Sequence, residues 1–327
     1  MKKIFLISLL ATALFSACSD VEINSVESNL IKFNDAAVET TRATDITLAN
    51  LNAFLVHGWS SSTENNVQIF NSTAVTRLND KWSYQGEQYW FANRTFDFVA
   101  LAPISVVCDY TNLTNIDGSF VFTNNAELDL ITAKYSRAID ATIDPADVEA
   151  VPFVFNHQLS RIEMVFENKF LNGAVIEITN PRIKNLTLEA EYSYADNSWT
   201  NHKGVFPLDI NFAAKKGTTR IDSVVAGSPL VANHFYIIPE DISKRASFII
   251  TFTARMLQDG IEVGTYDHTV TLGDITFEAG KQYHLKASLD QTNVNPDAML
   301  QPIEFTVSVT PWGQDIQNEV GFPGSED

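Results

Sequence analysis

Cysteine is nearly missing from this chain, with two in 327 residues, Cys18 and Cys108. A disulfide scaffold is excluded, and so is a thiolate zinc module, which needs cysteines in closely spaced pairs. Glycine is low at 14, and no G-x-x-x-x-G-K-[ST] run offers a turn to cradle phosphates. Basic residues are scarce too: 22 Lys and Arg stand against 40 Asp and Glu, a net charge of −18. Such a surface repels polyanions, and no basic cluster supplies a footprint, so nucleic acid is excluded as a partner. The six histidines (His57, His157, His202, His234, His268, His284) fall in separate segments with no H-E-x-x-H and no ligand-pair spacing. No metal site, and no cofactor, is assigned. G-x-S-x-G is absent, and no spacing singles out a carboxylate pair, so no catalytic residue is assigned and the chain is not read as an enzyme. Long apolar runs are lacking as well. The 14 residues Ile4–Ala17 fall short of the roughly 20 that a membrane-spanning helix needs.

That short run is the first positive signal. Lys2 and Lys3 precede it, small Ser16 and Ala17 close it, and Cys18 follows. This is the pattern of a secretion signal over residues 1–17, of the lipoprotein kind because cysteine sits at the cleavage point. Phe15 occupies the position where such signals usually carry Leu, with Leu14 one step earlier. In this reading Cys18 is lipidated, the protein is exported and lipid-anchored, and Cys108 remains a lone thiol inside Ile104–Cys108, where it acts as a small buried hydrophobe.

Beyond the leader the hydrophobic period is two. Thr95–Leu101 reads as a well-buried strand that stops at Pro103, and in Arg161–Glu167 the apolar Ile162, Met164 and Phe166 share a face while Arg161, Glu163 and Glu167 face water. The alternation recurs in Ser247–Thr253, in Tyr283–Leu289 and most regularly in Ile303–Val309. It predicts half-buried antiparallel strands, separated by turns at Asp80-Lys81, Asn124-Asn125, Asp196-Asn197-Ser198, Gln258-Asp259-Gly260 and Ala279-Gly280-Lys281. Only 126–139 has helical spacing, through Leu128, Ile131 and Tyr135, and Pro145 would end any helix there. Many short strands and almost no helix predict an all-β protein built of sandwiches, and the length suggests two, joined near Asp196–Gly204.

Aromatics crowd one stretch: Trp82, Tyr84, Tyr89, Trp90, Phe91, Phe96 and Phe98. The first reading places Trp82 and Trp90 beside a hairpin whose rings fill the first core. The second makes Trp82, Tyr89 and Trp90 a stacking platform for surface glycans of a host or a bacterium. Trp312 looks like a lid on the second core, and Asp222-Ser223-Val224 is similar to a short O-glycosylation motif of gut Gram-negative bacteria.

The landmarks, taken in order, form a pattern. The leader with Cys18 is followed by Thr41-Arg42-Ala43, by Lys81-Trp82-Ser83-Tyr84 with Tyr89-Trp90, and by Phe96–Ala100 with Pro103. Phe155–Arg161, Tyr236-Ile237-Ile238-Pro239, Ala279–Tyr283 and Val309-Thr310-Pro311-Trp312 complete it. This order resembles the fimbrillin-like proteins of the type V pilin superfamily. The resemblance implies two transthyretin-like β-sandwich domains in tandem, here 43–200 and 201–327, after the signal 1–17 and a propeptide 18–42. It implies cleavage by an extracellular protease between Arg42 and Ala43, which discards the lipid together with a first strand, Leu30–Phe33. A strand from a neighbouring subunit would then fill the vacated groove, giving a cell-surface fimbria that supports adhesion. One feature departs from the pattern: only fifteen residues follow Trp312, broken by Gly313, Gly321, Pro323 and Gly324. Gln301–Val309 would then have to act as the donor. The alternative is a lipid-anchored surface protein, acting as fimbrial anchor, tip adhesin or glycan-binding module without polymerising.

Overall fold

The computed structural model describes residues 29–34, 37–38, 46, 50–209, 220–222, 229–242, 248–273, 275–297 and 301–312. Cys18, Arg42, Ala43, Ser223, Val224 and the stretch after Trp312 lie outside the described residues. The first half of the chain runs through β1 (Ala37–Val38), β2 (Ala53–Ser61), β3 (Asn66–Leu78), β4 (Lys81–Ser83), β5 (Arg94–Ala102), β6 (Val107–Asp109), β7 (Ser119–Thr123), β8 (Ile131–Ile139) and β9 (Val154–His157). The second half runs through β10 (Ser160–Asn168), β11 (Val175–Ser193), β12 (Ser198–Asp209), β13 (Arg220–Asp222), β14 (Leu230–Val231), β15 (Phe235–Ile237), β16 (Phe248–Gln258), β17 (Ile261–Leu272), β18 (Lys281–Leu289) and β19 (Phe305–Pro311). The protein is all-β, and no helix among the described residues is long and apolar enough to cross a membrane.

Three sheets result. The first orders its strands β1-β9-β8-β5-β2-β3-β4, the second is β14-β10-β18-β19 with β15 on β10, and the third is β17-β16-β11-β7-β6 with β12 and β13 on the far side of β11. Pairing is antiparallel almost throughout, as the alternation predicts. Two pairs depart from it: β1 runs parallel to β9, and β10 runs parallel to β18 from Arg161↔Gln282 to Asn168↔Leu289. Period-two patterning fixes which face a residue takes but not the direction of the neighbouring strand, so these pairs leave no mark in the sequence.

Three apolar clusters hold the sheets together. The first core gathers Ile31, Phe33, Phe54, Phe70, Trp90, Phe96, Phe98, Phe153 and Phe155 among others. The second gathers Ile162, Met164, Phe166, Ile176, Phe252, Tyr283 and Leu285 with their neighbours. Between them a middle cluster joins Trp59, Val99 and Leu101 to Phe120, Tyr192, Tyr236 and Trp312. Strand β5 serves two of these: Phe96, Phe98 and Ala100 face the first core while Val99 and Leu101 face the middle one. Burial on both faces explains why it reads as a continuous apolar run. The first sheet ends at His157 and the second begins at Ser160, whereas Asp196 and Asn197, in the stretch where a joint was expected, turn the β11–β12 hairpin.

Three local expectations are corrected. Residues 131–139 form β8, paired with β5 from Ala102↔Ile131 to Arg94↔Ile139, and not a helix. The ladder with β5 runs the full length of the strand, and burial alternates along Lys134–Ala138, a pattern that the three helically spaced residues masked. Arg161, expected to face water, is 4% exposed. Its Nη1 donates to Gln282 Oε1 at 2.7 Å and its Nη2 to His234 Nδ1 at 3.0 Å, which is how a buried guanidinium is tolerated. Trp312 covers the middle cluster and not the second core, lying flat on His157 with ring centres 4.3 Å apart and on Tyr236 at 5.7 Å.

Candidate functional site

The site is a slot in the first core, filled in this chain by its own early segment. Ile31 is fully buried, Phe33 is 7% exposed and Lys32 between them faces solvent, so a strand-like alternation turns two side chains inward. On one flank Trp90 N–H donates to Asn29 O at 2.8 Å and Ile31 N–H donates to Gln88 O at 2.8 Å. The other flank has Val151 N–H donating to Lys32 O at 2.7 Å and Asn34 N–H donating to Val151 O at 3.1 Å. Farther along, β1 pairs with β9 through Ala37↔Val154 and Val38↔Phe155. The segment is therefore hydrogen-bonded on both sides.

Aromatic rings line the slot. Phe33 stacks on Phe153 with centres 5.7 Å apart, and meets Phe54 at 5.7 Å, Phe70 at 5.8 Å and Tyr84 at 5.6 Å edge-on. The Tyr84 hydroxyl donates to Ile31 O at 2.7 Å, and burial pushes its pKa up to about 12. Taking the segment away would unpair Trp90 N–H, Val151 N–H and Val151 O, and would leave the Tyr84 hydroxyl with only its contacts to the Gln88 backbone. Each orphaned group in a dry slot costs about 1–3 kcal/mol, and the aromatic floor would face water. A slot in that condition accepts any strand that restores both the ladder and the alternating apolar pair.

The other predicted residues are placed as follows. Cys18, Arg42 and Ala43 lie outside the described residues. Ile46, four positions after Arg42, donates its N–H to Asp129 Oδ2 at 3.3 Å. Trp90 is 1% exposed, with Phe96 edge-on at 4.8 Å, so neither ring face is open to a sugar. Trp82 is half-buried against the first core, with the Arg77 guanidinium 5.8 Å from its ring centre. The Tyr89 hydroxyl donates to Glu87, and Phe91 is exposed. The three candidate glycan contacts thus do not share one open face. The Cys108 thiol is half-buried, and burial pushes its pKa up to about 12. Among the described residues no group of three His, Cys, Asp or Glu stands close enough to hold a metal.

Sequence reasoning missed the cluster around His157. Its Nδ1 lies 3.0 Å from Asp129, both side chains are buried, and its ring is capped by Trp312. The two residues are 28 positions apart, and nothing in local spacing announces such a pair. Ile31 and Phe33 were visible as an apolar pair, but the ring of partners around them was not.

The described residues form a tandem of β-sandwich cores, the first completed by residues 29–34 and 37–38. The fimbrillin-like family model matches residues 41–312, and the chain belongs to that family. Among solved structures, a fimbrial protein from Bacteroides vulgatus is similar over 87% of this chain and 99% of its own, at 15% identity and a TM-score of 0.64. A candidate cell-adhesion protein from Bacteroides uniformis is similar over 87% and 97%, at 16% identity and a TM-score of 0.46. One from Parabacteroides distasonis covers 87% and 96%, at 11% identity and a TM-score of 0.47. No curated protein matches the chain in sequence. Membership of the fimbrillin-like family supports a fimbrial protein.

Proposed function

We propose that this chain is a fimbrial subunit that reaches the outer membrane as a lipoprotein on Cys18, is cut between Arg42 and Ala43, and polymerises by strand exchange. The observation that carries the reading is the slot: residues 29–34 and 37–38 complete the first core, lie N-terminal to Arg42, and are held by a strand's hydrogen bonds on both flanks and by the buried Ile31 and Phe33. Cleavage after Arg42 severs that strand from the rest of the core, so its retention becomes bimolecular and a neighbour's strand can compete for the same hydrogen bonds. The polar, turn-prone Thr40–Asp45 suits a protease.

The donor is the C-terminal stretch Gln301–Val309 of the neighbouring copy. Ile303-Glu304-Phe305 repeats the apolar-charged-aromatic order of Ile31-Lys32-Phe33, so it presents the same two anchors to the slot. In the free subunit Ile303 is buried and Phe305 packs on the second core, which keeps the donor sheathed until exchange begins. The partners are thus neighbouring subunits, the processing protease and, before maturation, the outer membrane. Treating the full chain with an arginine-specific protease tests the reading. It predicts an Ala43 N-terminus followed by a ladder of oligomers that resists mild heating in SDS. Clean cleavage with only monomers would overturn strand exchange, and resistance at Arg42 would favour a permanently anchored protein.

A further inference from the structure

The sheet edges differ in how they are guarded. Edge strands expose unpaired N–H and C=O groups, and proteins blunt them with short length, Lys, Pro or bulges. In the first sheet β1 and β4 have two and three residues, and the open flank of β3 is interrupted where Ser72 takes φ 48° beside shifts in register at Val56–Trp59. Strand β12 carries Lys203 and Pro207, two register shifts, and positive φ at Asn201 and Gly204. The second sheet ends on β19, seven residues closed by Pro311.

Strand β17 is guarded only at its start, where the register shifts between Met256↔Gly264 and Leu257↔Glu262. It is twelve residues long, without Pro, Lys or Arg, and nine consecutive pairs from Phe248↔Leu272 to Met256↔Gly264 hold it on β16 without a shift. Its outer flank pairs with nothing among the described residues. Thr265, Asp267, Thr269 and Thr271 are exposed, and Ile261 and Val263 are exposed at 70% and 50%. In a chain of net charge −18 this strand carries only Glu262 and Asp267 as acids.

We propose that β17 is an association edge that pairs antiparallel with β17 of a second copy, with His268 on the two-fold axis. That register uses Gly264–Leu272 and sets Thr265 opposite Thr271, Asp267 opposite Thr269, and Tyr266 opposite Val270. These are threonine–threonine and aromatic–β-branched pairs, the favourable kinds, and no like charges oppose. His268 does not obstruct the axis, because it is buried and stacked on Phe252 with ring centres 5.0 Å apart. A second copy is favoured over a basic foreign strand because the edge offers no acidic row for such a strand to read. The edge lies in the third sheet, apart from the slot, so this pairing links subunits side by side and does not rest on strand exchange. An interface of nine residue pairs is small, so the free dimer is weak, with Kd on the order of 10–100 µM. Along a fibre the same contact repeats and gains avidity.

The test is sedimentation of the uncleaved full chain in non-denaturing detergent, where any association through the apolar leader is common to all variants. The T265K/T271K double variant sets lysine opposite lysine and should weaken the dimer at least tenfold without changing the melting temperature. T265E/T271E should do the same, and a one-to-one mixture of the two should restore dimer. Thr200→Lys, on the guarded edge β12, should leave association unchanged. A wild-type chain that stays monomeric at ten times the upper Kd, or a dimer that persists in both double variants, overturns the proposal.

Discussion

Replacing Phe33 with Ala perturbs the slot at its most buried aromatic anchor. The side chain is 7% exposed and touches five rings, those of Phe54, Phe70, Tyr84, Phe98 and Phe153. Phe→Ala in a core costs about 3–5 kcal/mol, and Phe33 keeps a little exposure, so about 3–4 kcal/mol is expected. For a unit of 150–250 residues that lowers the melting temperature by about 6–16 °C. Differential scanning calorimetry of the uncleaved chain measures it, with Lys32→Ala, which removes an exposed side chain, as the control within about 0.5 kcal/mol of wild type. The same pair of proteins is then measured after cleavage at Arg42 and removal of the released peptide. The difference between Phe33→Ala and wild type should vanish, since residue 33 is no longer present in either. A small effect before cleavage, or a difference that survives it, would refute the argument that this residue completes the first core as a removable strand.

Other consequences follow from single residues. A Cβ on Gly58 would lie 2.8 Å from Phe98 and 2.9 Å from Phe70, so Gly58→Ala should cost about 1–3 kcal/mol of first-core stability in urea titrations. Burial lowers the His57 pKa from 6.5 to about 4, so the unfolded chain binds the proton first. Stability from this group is full above pH 6.5 and falls as pH drops toward 4, by at most about 3 kcal/mol, and His57→Gln should flatten that part of the pH–stability curve. Trp90→Ala should destabilise the first core by an amount typical of a buried ring, about 3–5 kcal/mol, and glycan-array signal should not track it.

Much of the architecture was legible because faces are written in the sequence. Ile162, Met164 and Phe166 announced a buried face, and β5, β16, β18 and β19 begin and end within a few residues of the alternating runs. Direction and distant partnership were not legible. The β10–β18 pair is parallel although both strands alternate like antiparallel ones, and Arg161 is buried because Gln282 and His234, 121 and 73 positions away, receive its donors. The slot was legible in half: Leu30–Phe33 could be read as a strand, but that it sits between Gln88–Trp90 and Val151 depends on a fold that brings together segments far apart in the chain. The open edge of β17 was invisible for the opposite reason. A strand's sequence does not state which of its neighbours is missing.

The most direct measurement of the central claim is the N-terminal residue of the protein taken from the cell surface. Strand exchange after processing predicts Ala43, with residues 29–38 gone from the mature subunit. An acylated Cys18 at the start of the surface-exposed, assembled protein would contradict it, because the slot would still hold its own strand.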